Sequence, residues 1–347
     1  MNAADLAGRV DEPRIALVSF DSLGDSLIYL MMADNLQRNG FQVTHYGNIA
    51  CQMRDWLPQL DIRPYPLPTI EKMEAELEGY DLAIVSPPSF IRARMDEAVT
   101  TRLRERWLLI CQKSPDAWRF DHTERLRRKL APEKFSRLAG LCNGSGSIRF
   151  RPFGDASVVE MTCAYMREKL HLATVTKTSA IKPPAGLFCR RHRQRIIVSP
   201  DSRWPEKKNW RPESFLALCR QLKARGLAVE IVVAPERHAA WSEMKGNEFP
   251  TPRFDTIGAL CGHLYESGCV VANDSGNGHL ASFLGVPTIT IYRKRNPLFY
   301  WRPDWSPGSV VCPPPFGSSA SLWKYLIRPA RVAAAIERLL TRIPNDG

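Results

Sequence analysis

The stretch VVANDSGNGHLASFLGVPTITIY, residues 270–292, constrains the fold more than any other part of the chain. Residues 269–272 are a short apolar run of the kind that forms a buried parallel strand. Asn273, Asp274, Ser275 and Gly276 then break the run with residue types that turn the chain and cap helices. Residues 278–285 read as a short helix, and residues 286–292 as the next buried strand. A strand, a polar turn, a helix and a second strand belong to an α/β fold. Residues 274–279 then lie at the carboxyl end of a strand and the amino end of a helix. In open α/β sheets ligands bind there, and free helix N–H groups favour anions. Small residues at such a turn are common in α/β proteins, so the turn alone leaves a purely structural role open.

At 347 residues the chain has room for two domains with full cores. Its hydrophobic share of 44% and charged share of 24% are those of a soluble globular protein. No apolar run approaches the roughly 20 residues of a membrane span. The first residues are polar and lack the apolar core of a secretion signal, so they read as a flexible lead on a cytoplasmic protein. Nine cysteines include no C-x-x-C pair, which points to buried free thiols and not to a zinc site or a disulfide framework.

The net charge of +12 implies either an anionic partner or a merely solvated basic surface. The anion could be nucleic acid, an acidic membrane surface or a phosphorylated substrate. Basic clusters occur at 125–129, 190–195 and 293–295. No zinc finger, RNA-recognition signature or basic zipper accompanies them, so no nucleic-acid partner is expected.

Residues 14–20 form an apolar run that ends in Asp21-Ser22-Leu23-Gly24-Asp25-Ser26. A helix is expected at 27–37 and a strand at 41–46. Gly24 stands alone, so neither G-x-G-x-x-G nor a Walker A loop is present. Asp25 falls on the loop or the first helical turn, where helix capping is its simplest role. Residues 58–68 read as a proline-rich loop, 81–86 as a strand, 91–106 as a helix and 107–111 as a strand. Residues 142–147 read as a flexible loop, and 174–186 as a linker. The alternation then repeats, with strands at 195–198 and 227–234 and helices at 212–225, 236–245 and 257–267. The expected architecture is α/β, two doubly wound Rossmann-like domains facing a central cleft, with domains at 1–185 and 186–347. The last helix, 330–342, is a candidate to pack back on the first domain.

Four segments carry a resemblance. They are Gly24-Asp25 after the first strand, Lys208-Asn209-Trp210-Arg211-Pro212, Glu236 after a later strand, and the sequence from Asp274 to Pro287. In this order they resemble the bacterial heptosyltransferases of glycosyltransferase family nine. That family's pattern D-S/T-G-x-x-H-L-A-A/S-x-x-G-x-P is matched by Asp274, Ser275, Gly276, His279, Leu280, Ala281, Ser282, Gly285 and Pro287. Asn277 departs from the family's frequent proline, and the proline of the K-x-W-P segment is displaced by one residue.

The resemblance implies the GT-B fold and inverting glycosyl transfer from a nucleotide sugar, best known as ADP-heptose. Such transfer needs a base for the acceptor hydroxyl and positive or dipolar groups for the leaving diphosphate. Asp25 is the implied base and Lys208 the implied phosphate partner, with Lys207 as its neighbour and substitute. Ser202, Glu236, Asp274, Ser275, Gly276 and His279 are the implied donor-binding residues, Glu236 on the ribose and Asp274 on sugar hydroxyls. His279 either touches phosphate or packs its helix. Trp204 and Trp210 are cleft or core residues, with core the simpler reading. No D-x-D motif or His/Cys/acid cluster suggests a metal, so a metal-independent mechanism without a cofactor is expected.

The second domain is expected to bind the nucleotide and the first domain the acceptor. The acceptor class implied is an anionic glycan or glycolipid, as in the inner core of lipopolysaccharide, with peripheral contact at the inner membrane surface. Two alternatives stay open. One keeps the fold with another nucleotide sugar or acceptor, and the other is a non-catalytic nucleotide-sugar or nucleic-acid binding protein.

Overall fold

The computed structural model describes residues 12–152, 154, 156–294, 301–315 and 322–343. The polar lead at 1–11 and Arg295 of the third basic cluster lie outside the described residues. The chain divides into two compact units, one of residues 1–152 and 160–180, the other of 153–159 and 181–347.

The first unit is built on β1 (Arg14–Val18), β2 (Gln42–Tyr46), β3 (Asp61–Arg63), β4 (Leu82–Val85), β5 (Leu108–Cys111) and β6 (Gly146–Ser147). They form one parallel sheet in the order β3-β2-β1-β4-β5-β6. Ile15, Ala16, Leu17 and Val18 are all fully buried. This is the signature of a strand covered on both faces, and it explains why β1 is a continuous apolar run and not an alternating one. Helix α1 (Leu23–Arg38) follows, capped by Ser22, whose Oγ accepts from the Asp25 N–H. The cap starts α1 four residues before the apolar spacing suggests, and sets Asp25 in its first turn. The strand order reverses between β1 and β4, so Asp25 sits beside the switch point of the sheet, where open α/β folds bind ligands.

The second unit contains β7 (His192–Ser199), α2 (Pro205–Lys208), α3 (Pro212–Ala224), β8 (Ala228–Ile231), β9 (Ser267–Asn273), α4 (Gly276–Phe283), β10 (Thr288–Ile291), β11 (Gly308–Val311) and α5 (Pro329–Arg342). The strands make a second parallel sheet in the order β11-β10-β9-β7-β8. All seven residues of β9 are buried. The switch point here lies between β7 and β9. Gly285, at φ +85°, makes the left-handed turn that sends the chain from α4 into β10.

Within its own unit α5 packs on α3 and β11. Its stripe of Val332, Ala335, Ile336 and Leu339 has the spacing that buries one helix face, and all four join the core of the second sheet. The structure corrects several expectations. β3 lies inside the stretch read as a proline-rich loop, and β6 inside the stretch read as a flexible loop. Three residues and two residues are too few to show a period. The helix read at 91–106 is two helices, Ser89–Arg92 and Glu97–Arg106, because the Asp96 side chain caps the second by accepting from the Val99 N–H at 2.8 Å.

Candidate active site

The carboxyl edge of the second sheet is organised by one buried amide. Asn273 ends β9 with no exposed surface. Its Nδ2 donates to the Pro200 carbonyl, and its Oδ1 accepts from the Trp210 N–H at 3.1 Å. Both ends of the loop between β7 and α3 are therefore fastened to β9. Asn277 adds a third tie, its Nδ2 donating to Ser199 Oγ at 3.0 Å. Trp210 stands edge-on to Phe215, with ring centroids 5.0 Å apart, and is 1% exposed. It is thus a core residue that seats the returning loop. Trp204 is 55% exposed, with Arg203 and Lys207 over its ring.

With the loop held in this way, Lys208 at the end of α2 meets Asp274 at the end of β9, Nζ to Oδ2 at 2.7 Å. Burial alone pushes the Asp274 carboxyl up, but His279 and Lys208 together outweigh it and hold the group below the ordinary aspartate range. The carboxylate is therefore ionised beside its lysine. His279 Nε2 lies 4.0 Å from Asp274 Oδ1, an electrostatic contact too long for a hydrogen bond. The imidazole is 1% exposed between Trp301 and Trp305, whose centroids are each 6.0 Å away.

Gly278 lets α4 lie close on β9, since a Cβ there would come within 3.1 Å of the Ala272 Cβ. Ser275 takes the extended N-cap conformation without making a side-chain cap bond, and its buried Oγ has no partner among the described residues. The first N–H groups of α4, from Gly276 onward, lack intrahelical acceptors in the usual way and face the same edge.

A pocket of about 270 Å³ opens on this pair. Lys207, Lys208, Asp274, Tyr292, Arg293, Lys294 and Trp301 supply its polar and aromatic wall. Burial, followed by the Asp274 charge, pushes the Tyr292 phenol well above its ordinary range, so it stays neutral. Among the described residues no three His, Cys, Asp or Glu side chains group as a metal site.

Of the residues singled out in the sequence, Lys208 and Asp274 line the pocket and touch. Ser275, Gly276 and His279 stand next to them on the turn and α4, with His279 behind Asp274 and away from the opening. Ser202 lies on the loop after β7 and donates to Asn209 Oδ1 at 2.5 Å. Glu236 is exposed on the turn after β8, on the outer flank of β7. In the first unit Asp25 is half-buried, and its carboxylate accepts a hydrogen bond from Ser22 Oγ.

Sequence reasoning missed Asn273 as the clamp and Arg293 and Lys294 as pocket residues. The signal for the latter was present as a basic pair directly after the strand that follows the Asp-Ser-Gly turn. The register Ile291↔Asn273 carries that pair to the side of Asp274. The cluster at 190–195 is different, because it lies at the start of β7, on the opposite edge of the sheet.

Residues 156–313 match the family model described as glycosyltransferase family 9 (heptosyltransferase). Solved structures share the fold over nearly the whole chain. The ADP-heptose lipopolysaccharide heptosyltransferase II of E. coli is 15% identical with a TM-score of 0.65, covering 95% of this chain and 99% of that one. A glycosyl transferase family 9 protein from Veillonella parvula is 16% identical with a TM-score of 0.65, covering 96% and 99%. The E. coli heptosyltransferase WaaC, solved with ADP-2-deoxy-2-fluoro heptose, is 18% identical with a TM-score of 0.58, covering 94% and 99%. No curated protein matches the chain by sequence. At these identities the structural likeness is one of fold, while the family match falls on the segment that carries Lys208, Glu236 and the Asp274 turn. With both in hand, residues 156–313 carry a glycosyltransferase family 9 (heptosyltransferase) domain, and the chain has the GT-B fold of the solved heptosyltransferases.

Proposed function

We propose that the chain transfers a sugar, with inversion and without a metal, from ADP-heptose to a hydroxyl of an anionic glycan or glycolipid. The observation that carries this reading is the Lys208–Asp274 pair at the switch point of the second sheet, set in a cationic pocket beside the start of α4. Phosphates need cations and N–H donors, and this edge offers both. The donor named with WaaC, a fluorinated ADP-heptose, supports an ADP-sugar for a chain of like fold.

In the proposed reaction the acceptor oxygen bonds to the anomeric carbon from the face opposite the diphosphate. The carbon–oxygen bond to the diphosphate breaks, the hydroxyl proton passes to Asp25, and ADP leaves with the electron pair. Lys208 meets the charge that grows on the leaving oxygen. Asp274, ionised and fixed by Lys208 and His279, accepts from the sugar hydroxyls. The start of α4 contributes donors, Ser202 adds one on releasing Asn209, and exposed Glu236 is free to accept from a ribose.

The net charge of +12 suits an acidic acceptor such as the inner core of lipopolysaccharide, met at a membrane surface. Among the described residues no helix is long and apolar enough to cross a membrane. The test is mass spectrometry of products after incubation with ADP-heptose and candidate acceptors, in parallel with and without EDTA. The expected result is one added heptose in both arms. No heptosylated product would remove the donor assignment, and EDTA-sensitive transfer restored by a divalent metal would remove the metal-free mechanism.

A further inference from the structure

Lys208 does not meet the donor as a free cation. Its ammonium is already matched by Asp274 at 2.7 Å, and Asp274 is the only acid lining the pocket among the described residues. Three other cations line the same wall, namely Lys207, Arg293 and Lys294. None of the three forms an ion pair among the described residues. Lys207 rests over the Trp204 ring at 5.9 Å, on the α2 side. Arg293 and Lys294 come from the other side. They follow β10 directly, and β10 pairs with β9 so that Ile291 lies opposite Asn273. The basic pair therefore flanks the Asp274 turn and faces Lys208 across the pocket. With the one acid matched to Lys208, the remaining like charges repel one another, and a bound anion relieves that repulsion.

We infer that Arg293 and Lys294 are donor-binding residues that neutralise the diphosphate, while Lys208, matched by Asp274, positions it. The inference rests on the glycosyl-transfer reading above and extends the site to a strand end which that reading leaves unused. A doubly charged diphosphate entering the pocket displaces no ion-pair partner of Arg293 or Lys294 among the described residues. Against Lys208 it competes with the Asp274 carboxylate. The pair after β10 thus supplies the larger share of ground-state affinity. Arginine also offers a two-pronged donor set that fits phosphate oxygens.

The test is calorimetric titration of the full chain with ADP, at low and at physiological salt. It compares wild type with Arg293→Gln, Lys294→Gln, the double variant, and the charge-preserving Arg293→Lys/Lys294→Arg. Each neutralisation is expected to weaken ADP binding roughly ten-fold. The double variant should lose most of the salt dependence, and the charge-preserving variant should bind within a few-fold of wild type. Because Lys294 is exposed and Arg293 partly so, melting temperatures should hardly move, which separates lost affinity from lost fold.

If wild type binds ADP and the double variant binds it within two-fold, with the same salt slope, the inference is overturned and the functional reading stands. If wild type binds none of ADP, UDP, GDP and CDP, both fall together.

Discussion

Asp25 carries two possible duties on one carboxylate, and a single isosteric change separates them. Its acceptance of the Ser22 hydroxyl belongs to the cap of α1. In Asp25→Asn the amide oxygen still accepts that bond, so the helix start should survive, while the ability to take a proton is gone. Turnover is expected to fall by about 10²–10⁴-fold with donor affinity nearly unchanged. Near-wild-type turnover in this variant would leave Asp25 as a cap only. Lys208→Ala should weaken donor binding and slow the reaction. It also strands the largely buried Asp274 carboxylate, so some loss of melting temperature is expected as well. Lys207→Ala, on an exposed side chain, should do less in every assay. The reverse order would move the phosphate-positioning role to Lys207. Asp25, Lys208 and Asp274 were singled out through the resemblance to glycosyltransferase family nine, and the structure brings Lys208 and Asp274 together in one pocket. Arg293 and Lys294 were visible only as charge, since nothing local reveals which strand lies beside β10.

At the scale of elements, the long buried strands announced themselves because both faces need apolar residues. β1, β4, β5, β9 and β10 were all read from composition alone. The loop between β7 and α3 was not, because its shape is fixed from outside by Asn273, a residue that looked like part of a turn. The structure gives that amide a testable weight. Asn273→Ala removes the acceptor for the Trp210 N–H and the donor for the Pro200 carbonyl, leaving two interior backbone groups without partners. Each such orphan costs about 1–3 kcal/mol. The variant should therefore melt earlier. Its donor affinity should also fall, although Asn273 itself does not line the pocket, because Lys208 loses the loop that aims it. An Asn273→Ala protein with unchanged melting and unchanged binding would show that Trp210 alone seats the loop.

The behaviour of the whole molecule with pH follows from two histidines that sequence reading passed over. His45 lies on β2 with no exposed surface, and neither ring nitrogen has a partner among the described residues. Burial pushes its pKa down to about 3. His122 is buried too, and burial together with the Arg125 charge pushes it down to about 4. In the unfolded chain both return to about 6.5. The unfolded state therefore binds more protons than the folded state between roughly pH 6.5 and 4, and stability must fall as pH falls through that window. Each histidine contributes a slope of about 1.4 kcal/mol per pH unit. Asp274 and Glu230 also favour the folded state when ionised, since both are held below their ordinary range. Their contribution is lost only as pH drops past the unfolded carboxylate values near 4, so it comes later. Urea unfolding at pH 7.5, 6.5 and 5.5 should show a midpoint that is nearly flat above 6.5 and falls steadily below it. His45→Gln, which cannot take up the proton, should reduce that slope by about half, whatever it does to the midpoint at neutral pH. A wild-type midpoint unchanged down to pH 5 would mean that both rings accept a proton in the folded protein, and that β2 opens to water more readily than its burial implies.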